Sequence, residues 1–191
     1  NILAAEAQRI IDMGIHLKLN YKVSDLLVEK EKGKFDAVFI GIGGHKGKTV
    51  ETPNNNPCPM WDSVKFLSAV KTNTLPKFGD NLVVYGGSNT AMDVTRTARR
   101  LGIKNVYVVY HRTRQRMAAF QEEITEAVEE GVTLKVLRQI QSVENKSVKL
   151  NVVELDASGS PQPTGETEVI NSDMFVFAMG QTPESEFLKK V

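Results

Sequence analysis

Apolar positions recur along this chain with two periods, and the switches between them set out the elements. Leu3, Ala7, Ile10 and Ile11 share one face of a helix that closes at Gly14. Ile15, Leu17 and Leu19 alternate with polar residues, which predicts a strand over 15–19. The polar stretch 21–34 holds one apolar island, Leu26, Leu27 and Val28. A near-continuous apolar run over 35–42 predicts a buried strand, ending in the cluster Gly41, Gly43 and Gly44. No helical pattern follows that cluster. It is either an independent phosphate site or a strand end whose glycines allow close packing. Val64, Phe66, Leu67 and Val70 predict a short amphipathic helix over 63–71. Loop chemistry over 53–57 and a break over 76–80 make 53–80 the candidate crossing between two domains.

The most regular block starts at residue 82. An apolar run over 82–85 reads as a buried strand, followed by Gly86 and Gly87. Ala91, Val94, Ala98 and Leu101 then fall on one helical face, with Gly102 just past its end. A second apolar run covers 105–110. A glutamate-rich helix is predicted over 119–130, its charges on a solvated face, and a strand over 132–137. Strands over 139–143, 148–155 and 167–170, separated by turn-rich tracts, form a hairpin-rich insertion. A last buried strand over 174–178 ends in Met179, Gly180 and Gln181.

Strand, glycine turn, helix and strand within about 30 residues is the unit that binds a dinucleotide. The turn's N–H groups and the helix N-terminus face a pyrophosphate. The candidate positions are Gly86, Gly87, Ser88, Asn89, Thr90 and Ala91. The plainer alternative is a structural strand–helix turn. Ala91 is acceptable at the third fingerprint position, but Ser88 stands where the fingerprint reserves glycine. Its side chain either intrudes on the phosphate space or turns aside to cap the helix.

The residues about 20 positions beyond the turn discriminate between cofactors. An acidic residue there holds the ribose 2′-hydroxyl of NAD, whereas a basic one accommodates the 2′-phosphate of NADP. Here the chain reads His111, Arg112, Thr113, Arg114, Gln115, Arg116, with no carboxylate nearby. The planar fork of arginine suits a phosphate monoester. The position favours 2′-phosphate recognition by His111, Arg112, Arg114 and Arg116 over a merely solvated charged loop. His111 reads as a phosphate or ribose neighbour rather than a general base. No metal-ligand spacing and no Ser/His/Asp pattern is found.

Composition narrows the partners. The 191 residues suit one large or two small domains. Lys plus Arg number 24 against 23 Asp plus Glu, which argues against nucleic acid or a membrane surface as the main partner. No apolar run approaches the ~20 residues that span a bilayer. The single cysteine, Cys58, rules out an internal disulfide or an iron–sulfur site within the chain and fits a reducing, cytoplasmic setting. The opening residues lack a methionine and read as mid-helix, so the chain is expected to be a piece of something longer.

The stretches 86–94, 97–102, 108–113 and 121–123, together with 35–39 and 175–181, resemble the small (β) subunit of NADPH-dependent glutamate synthase and its relatives. The flavin-binding, NADPH-oxidising region of dihydropyrimidine dehydrogenase is among these. The resemblance spans essentially the whole chain. It implies an α/β, Rossmann-like FAD/NAD(P)-binding fold, a parallel sheet flanked by helices, with an NADPH domain inserted into an FAD domain. It implies hydride transfer from NADPH to FAD, and onward electron transfer to iron–sulfur clusters or a large-subunit partner. Gly86 to Ala91 are implied at the pyrophosphate and His111 and Arg112 at the 2′-phosphate. Ala178, Met179 and Gly180 are implied at a strand end near both cofactors, and Gly41 to Gly43 at the corresponding flavin-domain strand end. Arg114 and Arg116 rest on position alone. The expected division is an NADP(H) domain over 63–170, with 1–62 and 171–191 as partial flavin-domain segments. Ser88 and Ala118 depart from the family's glycine and proline. The family's flavin fingerprint, its later Gly-Asp segment and its cysteine-rich region are missing from this chain. The isolated chain is therefore expected to be colourless and inactive. The alternative is a nucleotide-binding or assembly module without turnover.

Overall fold

The computed structural model describes residues 2–50 and 58–188, so the loop expected over 53–57 lies outside the described residues. The chain divides into two units. One spans Ile42–Glu184, and the other holds the residues on either side of it.

The flanking unit contains α1 (Ile2–Ile11) and α2 (Leu26–Gly33). The Asp25 carboxylate caps α2 by accepting from Leu27 N at 3.0 Å and Val28 N at 3.1 Å. Lys34 closes it in the left-handed region, at φ 52°. Apolar periodicity missed this helix, because it has eight residues and three consecutive apolar ones at its start. The cap at Asp25 was the available signal. The strands expected over 15–19 and 35–42 are not formed. Their apolar side chains stand exposed, Phe39 at 95%. Alternation supplies a face, but a strand also needs a ladder partner for its N–H and C=O groups. Among the described residues none pairs with either stretch.

The Ile42–Glu184 unit is built on a parallel sheet. Its strands are β2 (Met60–Asp62), β3 (Asn81–Tyr85), β4 (Asn105–Tyr110), β5 (Thr133–Val136) and β9 (Met174–Phe177), in the order β2-β9-β3-β4-β5. Leu82 pairs with Val106 on one side and Met174 on the other, so β3 is central. The sheet draws in β2 and β9, both outside the expected 63–170 span. A single apolar run of four residues pairs wherever the ladder is open, and sequence order does not limit it.

Successive residues of a strand face opposite sides, and the two sides are covered differently. Leu82, Val84, Val106, Val108, Met174 and Val176 face one core. That core is completed by helices α3 (Ser63–Lys71), α4 (Asn89–Arg100) and α5 (Gln121–Glu129), through Phe66, Val94, Ala98 and Ile124. Val83, Tyr85, Val109, Phe175 and Phe177 face the other core. An antiparallel sheet closes that side: β6 (Arg138–Val143), β7 (Ser147–Leu155) and β8 (Pro161–Asn171), contributing Val143, Val148, Leu150 and Ile170. The hairpin-rich insertion therefore does the covering that helices do on the first face. Two short strands, β1 (Lys46–Gly47) and β10 (Gln181–Thr182), pair antiparallel. Among the described residues no helix is long and apolar enough to cross a membrane.

Phe66 is fully buried among these helices. Phe66→Ala should cost about 3–5 kcal/mol of unfolding free energy through lost burial and the cavity left behind. Phe120→Ala, at a side chain 66% exposed, should stay within about 0.5 kcal/mol. Urea unfolding of both variants checks this. Equal losses would place Phe66 outside the core.

Candidate functional site

The carboxyl ends of β3, β4 and β9 lie side by side, and the chain order reverses between β3 and β9. From β3 the sheet grows through β4 to β5 in one direction and through β9 to β2 in the other. Open α/β sheets bind ligands in the crevice at such a switch point. The sequence-predicted residues 86–91, 111–116 and 178–180 all follow these three strand ends.

Gly86 leaves β3 at φ +153°, and a Cβ there would collide with the Ala178 carbonyl. Its own N–H donates to Val109 O at 3.0 Å, while Ala178 N–H donates to Tyr85 O at 2.8 Å. The turn is thus held from both neighbouring strands. A Cβ on Gly87 would come within 2.7 Å of the Tyr110 ring. Ser88 is the N-cap residue of α4, yet its side chain makes no cap bond. Its hydroxyl donates instead to Ala178 O at 3.3 Å. Of the two outcomes set out for Ser88, the side chain does turn aside, but toward β9 and not onto the helix.

The first turn of α4 is open. Ala91 and Met92 donate to Ser88 O, but the N–H groups of Ser88, Asn89 and Thr90 have no acceptor among the described residues. That turn carries no acidic residue, while Arg99 and Arg100 sit in the last turn. Both features leave the positive end of the helix dipole available to an anion. Ala91 is fully buried in the core beneath the turn, where the fingerprint needs a small residue.

At the end of β4, His111 lies between two tyrosines, its ring centroid 4.9 Å from Tyr110 and 6.3 Å from Tyr85. Burial, and secondarily the Arg112 charge, lowers its pKa below 6.5. Burial pushes the Tyr85 phenol up to about 12. The Arg112 carbonyl accepts from Leu137 N at 3.1 Å, and its Nε is buried without a partner among the described residues. The other two arginines are engaged. Arg114 donates to Thr125 Oγ1 on α5 at 2.8 Å. The Arg116 guanidinium lies where a Cβ on Gly159 would be, in the turn between β7 and β8. Of the three arginines, Arg112 alone brings an orphaned buried donor to this strand end.

At the end of β9, Ala178 is buried, Met179 packs on the second core, and Gly180 adopts φ +99°. Gly180 O accepts from Lys48 N at 2.9 Å, which adjoins the β1–β10 pair. Gly43, at φ +65°, precedes β1, and Gly41 belongs to the flanking unit. A Cβ on Gly44 would meet Gln181 Cβ at 3.0 Å and one on Gly47 would meet Asp62 Cβ at 2.5 Å. The second glycine cluster is therefore neither the end of a formed strand nor the start of a helix; its close packing is at Gly44, and Gly41 and Gly43 meet only the side chains of Phe39 and His45.

Two contributors escaped the sequence reading. Tyr110 packs on the glycine turn and donates from its hydroxyl to Arg116 O at 2.8 Å. The backbone at 119–120 reaches back to the turn: Ala119 N–H donates to Gly87 O and Phe120 N–H to Asn89 Oδ1, both at 2.9 Å. An aromatic side chain at the end of the neighbouring strand was a signal for the first. The second is a backbone contact with no sequence signature. Among the described residues no group of His, Cys, Asp or Glu could hold a metal ion.

Comparison with known proteins places this geometry. The small chain of glutamate synthase [NADPH] from Escherichia coli (strain K12) is 30% identical over 204 residues, covering 93% of this chain and 43% of that protein. The NADPH-Fe(3+) oxidoreductase subunit beta of Geobacter sulfurreducens is 31% identical over 206 residues, covering 98% of this chain and 30% of that protein. The chain thus spans less than half the length of these curated relatives. FprA of Mycobacterium tuberculosis, solved in complex with NADPH, shares the fold with a TM-score of 0.69 at 15% identity, covering 85% of this chain and 54% of that one. The profile of the pyridine nucleotide-disulphide oxidoreductases matches residues 2–191, and the chain belongs to that family.

Proposed function

We propose that this chain is the NADP(H)-binding part of an FAD-dependent oxidoreductase resembling the glutamate synthase small subunit. The observation that carries the reading is the presence of two anion-binding features at adjacent strand ends. One is the set of unpaired N–H groups at the start of α4. The other is the buried, unpartnered Nε of Arg112. A dinucleotide with a 2′-phosphate has anionic groups at both places. The residues fit it: Gly86 and Gly87 let the backbone approach, and the start of α4 takes the pyrophosphate. Arg112 and His111 take the 2′-phosphate, while Arg114 and Arg116 brace the loop through α5 and the β7–β8 turn. Ser88, bonded to Ala178, gives no steric ground for a module that cannot turn over.

When both cofactors are bound they supply hydride transfer from NADPH to FAD. The chain's own part is to bind and orient the nicotinamide nucleotide, with 178–180 forming the strand end beside it. We assign the Ile42–Glu184 unit, which includes Gly43, to NADP(H) and the flanking residues, which include Gly41, to the flavin domain. The resemblance to the glutamate synthase small chain, of which this chain covers 43%, supports assigning the greater part of the flavin site to a longer parent protein. Onward transfer to iron–sulfur clusters and a large-subunit partner belongs to that whole protein. Relatives named as a subunit of an NADPH-Fe(3+) oxidoreductase and as the small chain of a glutamate synthase support a partner subunit.

Calorimetric titration with NADPH and NADH tests the reading. NADPH should bind more tightly, and Arg112→Ala should narrow the gap by about 1–3 kcal/mol, the scale of a charge-assisted hydrogen bond. Equal affinities in the unmodified protein would sink it.

His111 adds a pH dependence with a definite sign. In the free protein its pKa is lowered, so the ring is largely neutral near pH 7. A 2′-phosphate beside it favours the imidazolium and raises that pKa in the complex. Binding then takes up a proton. NADPH affinity gains as pH falls through the window between the free and bound values, and above the bound value the gain is gone. His111→Gln should flatten the rise in NADPH affinity as pH falls below neutrality and leave NADH unaffected. Identical slopes for the two proteins would remove His111 from the phosphate site.

A further inference from the structure

A cofactor gripped at both its pyrophosphate and its 2′-phosphate needs the two grips at a fixed separation, within about half an ångström. The register of β3 and β4 fixes the strand ends, but the loops beyond them are held by other bonds. The arginine loop is tied to α5, because Arg114 Nη2 donates to Thr125 Oγ1 at 2.8 Å. The start of α5 is tied in turn to the start of α4. Phe120, the N-cap residue of α5, donates its N–H to Asn89 Oδ1 at 2.9 Å, across 31 residues of chain. One residue earlier, Ala119 N–H donates to Gly87 O at 2.9 Å. Among the described residues Asn89 is the side chain in this pair of bonds, the other being backbone to backbone.

We propose that Asn89 is a positioning residue that sets the preference for NADP(H) over NAD(H). It rests on the reading that Arg112 takes the 2′-phosphate. The Asn89 carbonyl holds the start of α5, and with it the arginine loop, at a fixed distance from the phosphate turn. It does this without needing to touch the nucleotide. Asparagine suits the task because it accepts the Phe120 N–H and adds no charge. An aspartate would accept the same bond but would place a negative charge beside the open N–H groups that receive the pyrophosphate.

The test is the ratio of NADPH to NADH affinity, measured by calorimetry on the full chain in three variants. Asn89→Ala removes the acceptor and should lower the ratio about tenfold, the effect of one lost hydrogen bond. Asn89→Asp keeps the acceptor and should keep the ratio while weakening both cofactors. Phe120→Pro removes the donor and leaves Asn89 intact. Its φ of −60° fits proline and its side chain is exposed. It should lower the ratio as Asn89→Ala does, which a direct contact between Asn89 and the nucleotide would not produce. Circular dichroism checks that each variant is folded, and if Asn89→Ala is not, the other two decide. A folded Asn89→Ala or Phe120→Pro that keeps the unmodified ratio overturns the inference, as does Asn89→Asp losing it. An unmodified protein without NADPH preference instead overturns the assignment of Arg112, and this inference falls with it.

Discussion

Where β3 leaves the sheet, its backbone passes so close to the Ala178 carbonyl that no side chain fits at Gly86. That close approach follows from the parallel pairing of β3 with β9, in which Tyr85 stands opposite Phe177. The two strands end together, and their continuations must share one small volume. Gly86 resolves the conflict by having no Cβ and by adopting a φ that side chains rarely accept. Ser88 then uses the same Ala178 carbonyl as an acceptor. The oxygen that forbids a side chain at one position therefore anchors one two residues later. The turn is fixed before any ligand arrives, which suits an anion site made of backbone N–H groups.

The helix that the turn opens into is fixed by a different means. Its inner face packs through Ala91, Val94 and Ala98. Its outer face carries Arg96, which reaches Glu123, Glu126 and Glu130 on and after α5. Arg100 shares Glu130. Single surface ion pairs contribute little, but a guanidinium fanned over several carboxylates sets a relative orientation. These glutamates, a solvated face when the sequence is considered alone, thus act as the strap between α4 and α5 at one end. Asn89 and Phe120 make the strap at the other. The two together tie the arginine loop to the glycine turn.

The sequence made the central block legible because its elements are local. The strands at 82–85 and 105–110, and the helix starting at Asn89, are each specified by their own residues, with glycines at the turns. The strands over 15–19 and 35–42 were misread for the opposite reason. Their pattern is right for strands, but a strand exists only through a partner, and pairing is not a local property. The site divides in the same way. The glycine turn and the basic loop could be found by spacing. That Arg112 is left with a buried orphan donor while Arg114 and Arg116 are engaged could not be, because it depends on Thr125 and Gly159, 11 and 43 residues further along the chain. The role of Ser88 likewise needed Ala178, 90 residues away.

The family's name couples a pyridine nucleotide to a disulphide, and the chain's single cysteine bears on which half it serves. Disulphide exchange requires an accessible thiolate and a second sulfur. Cys58 is 1% exposed, its Sγ lies 3.6 Å from Ser172 Oγ, and burial raises its pKa. Burial disfavours a thiolate and outweighs the Ser172 hydroxyl, which by itself would favour one, and no second cysteine exists within the chain to pair with it. The thiol sits instead in the core between the parallel sheet and the antiparallel one, beside Val143, Phe175 and Phe177. It is a packing residue there, small and apolar enough for a close contact. Packing therefore accounts for Cys58 within these residues. The open donors on which the proposed nucleotide reading rests lie elsewhere, at the start of α4 and at the Arg112 Nε.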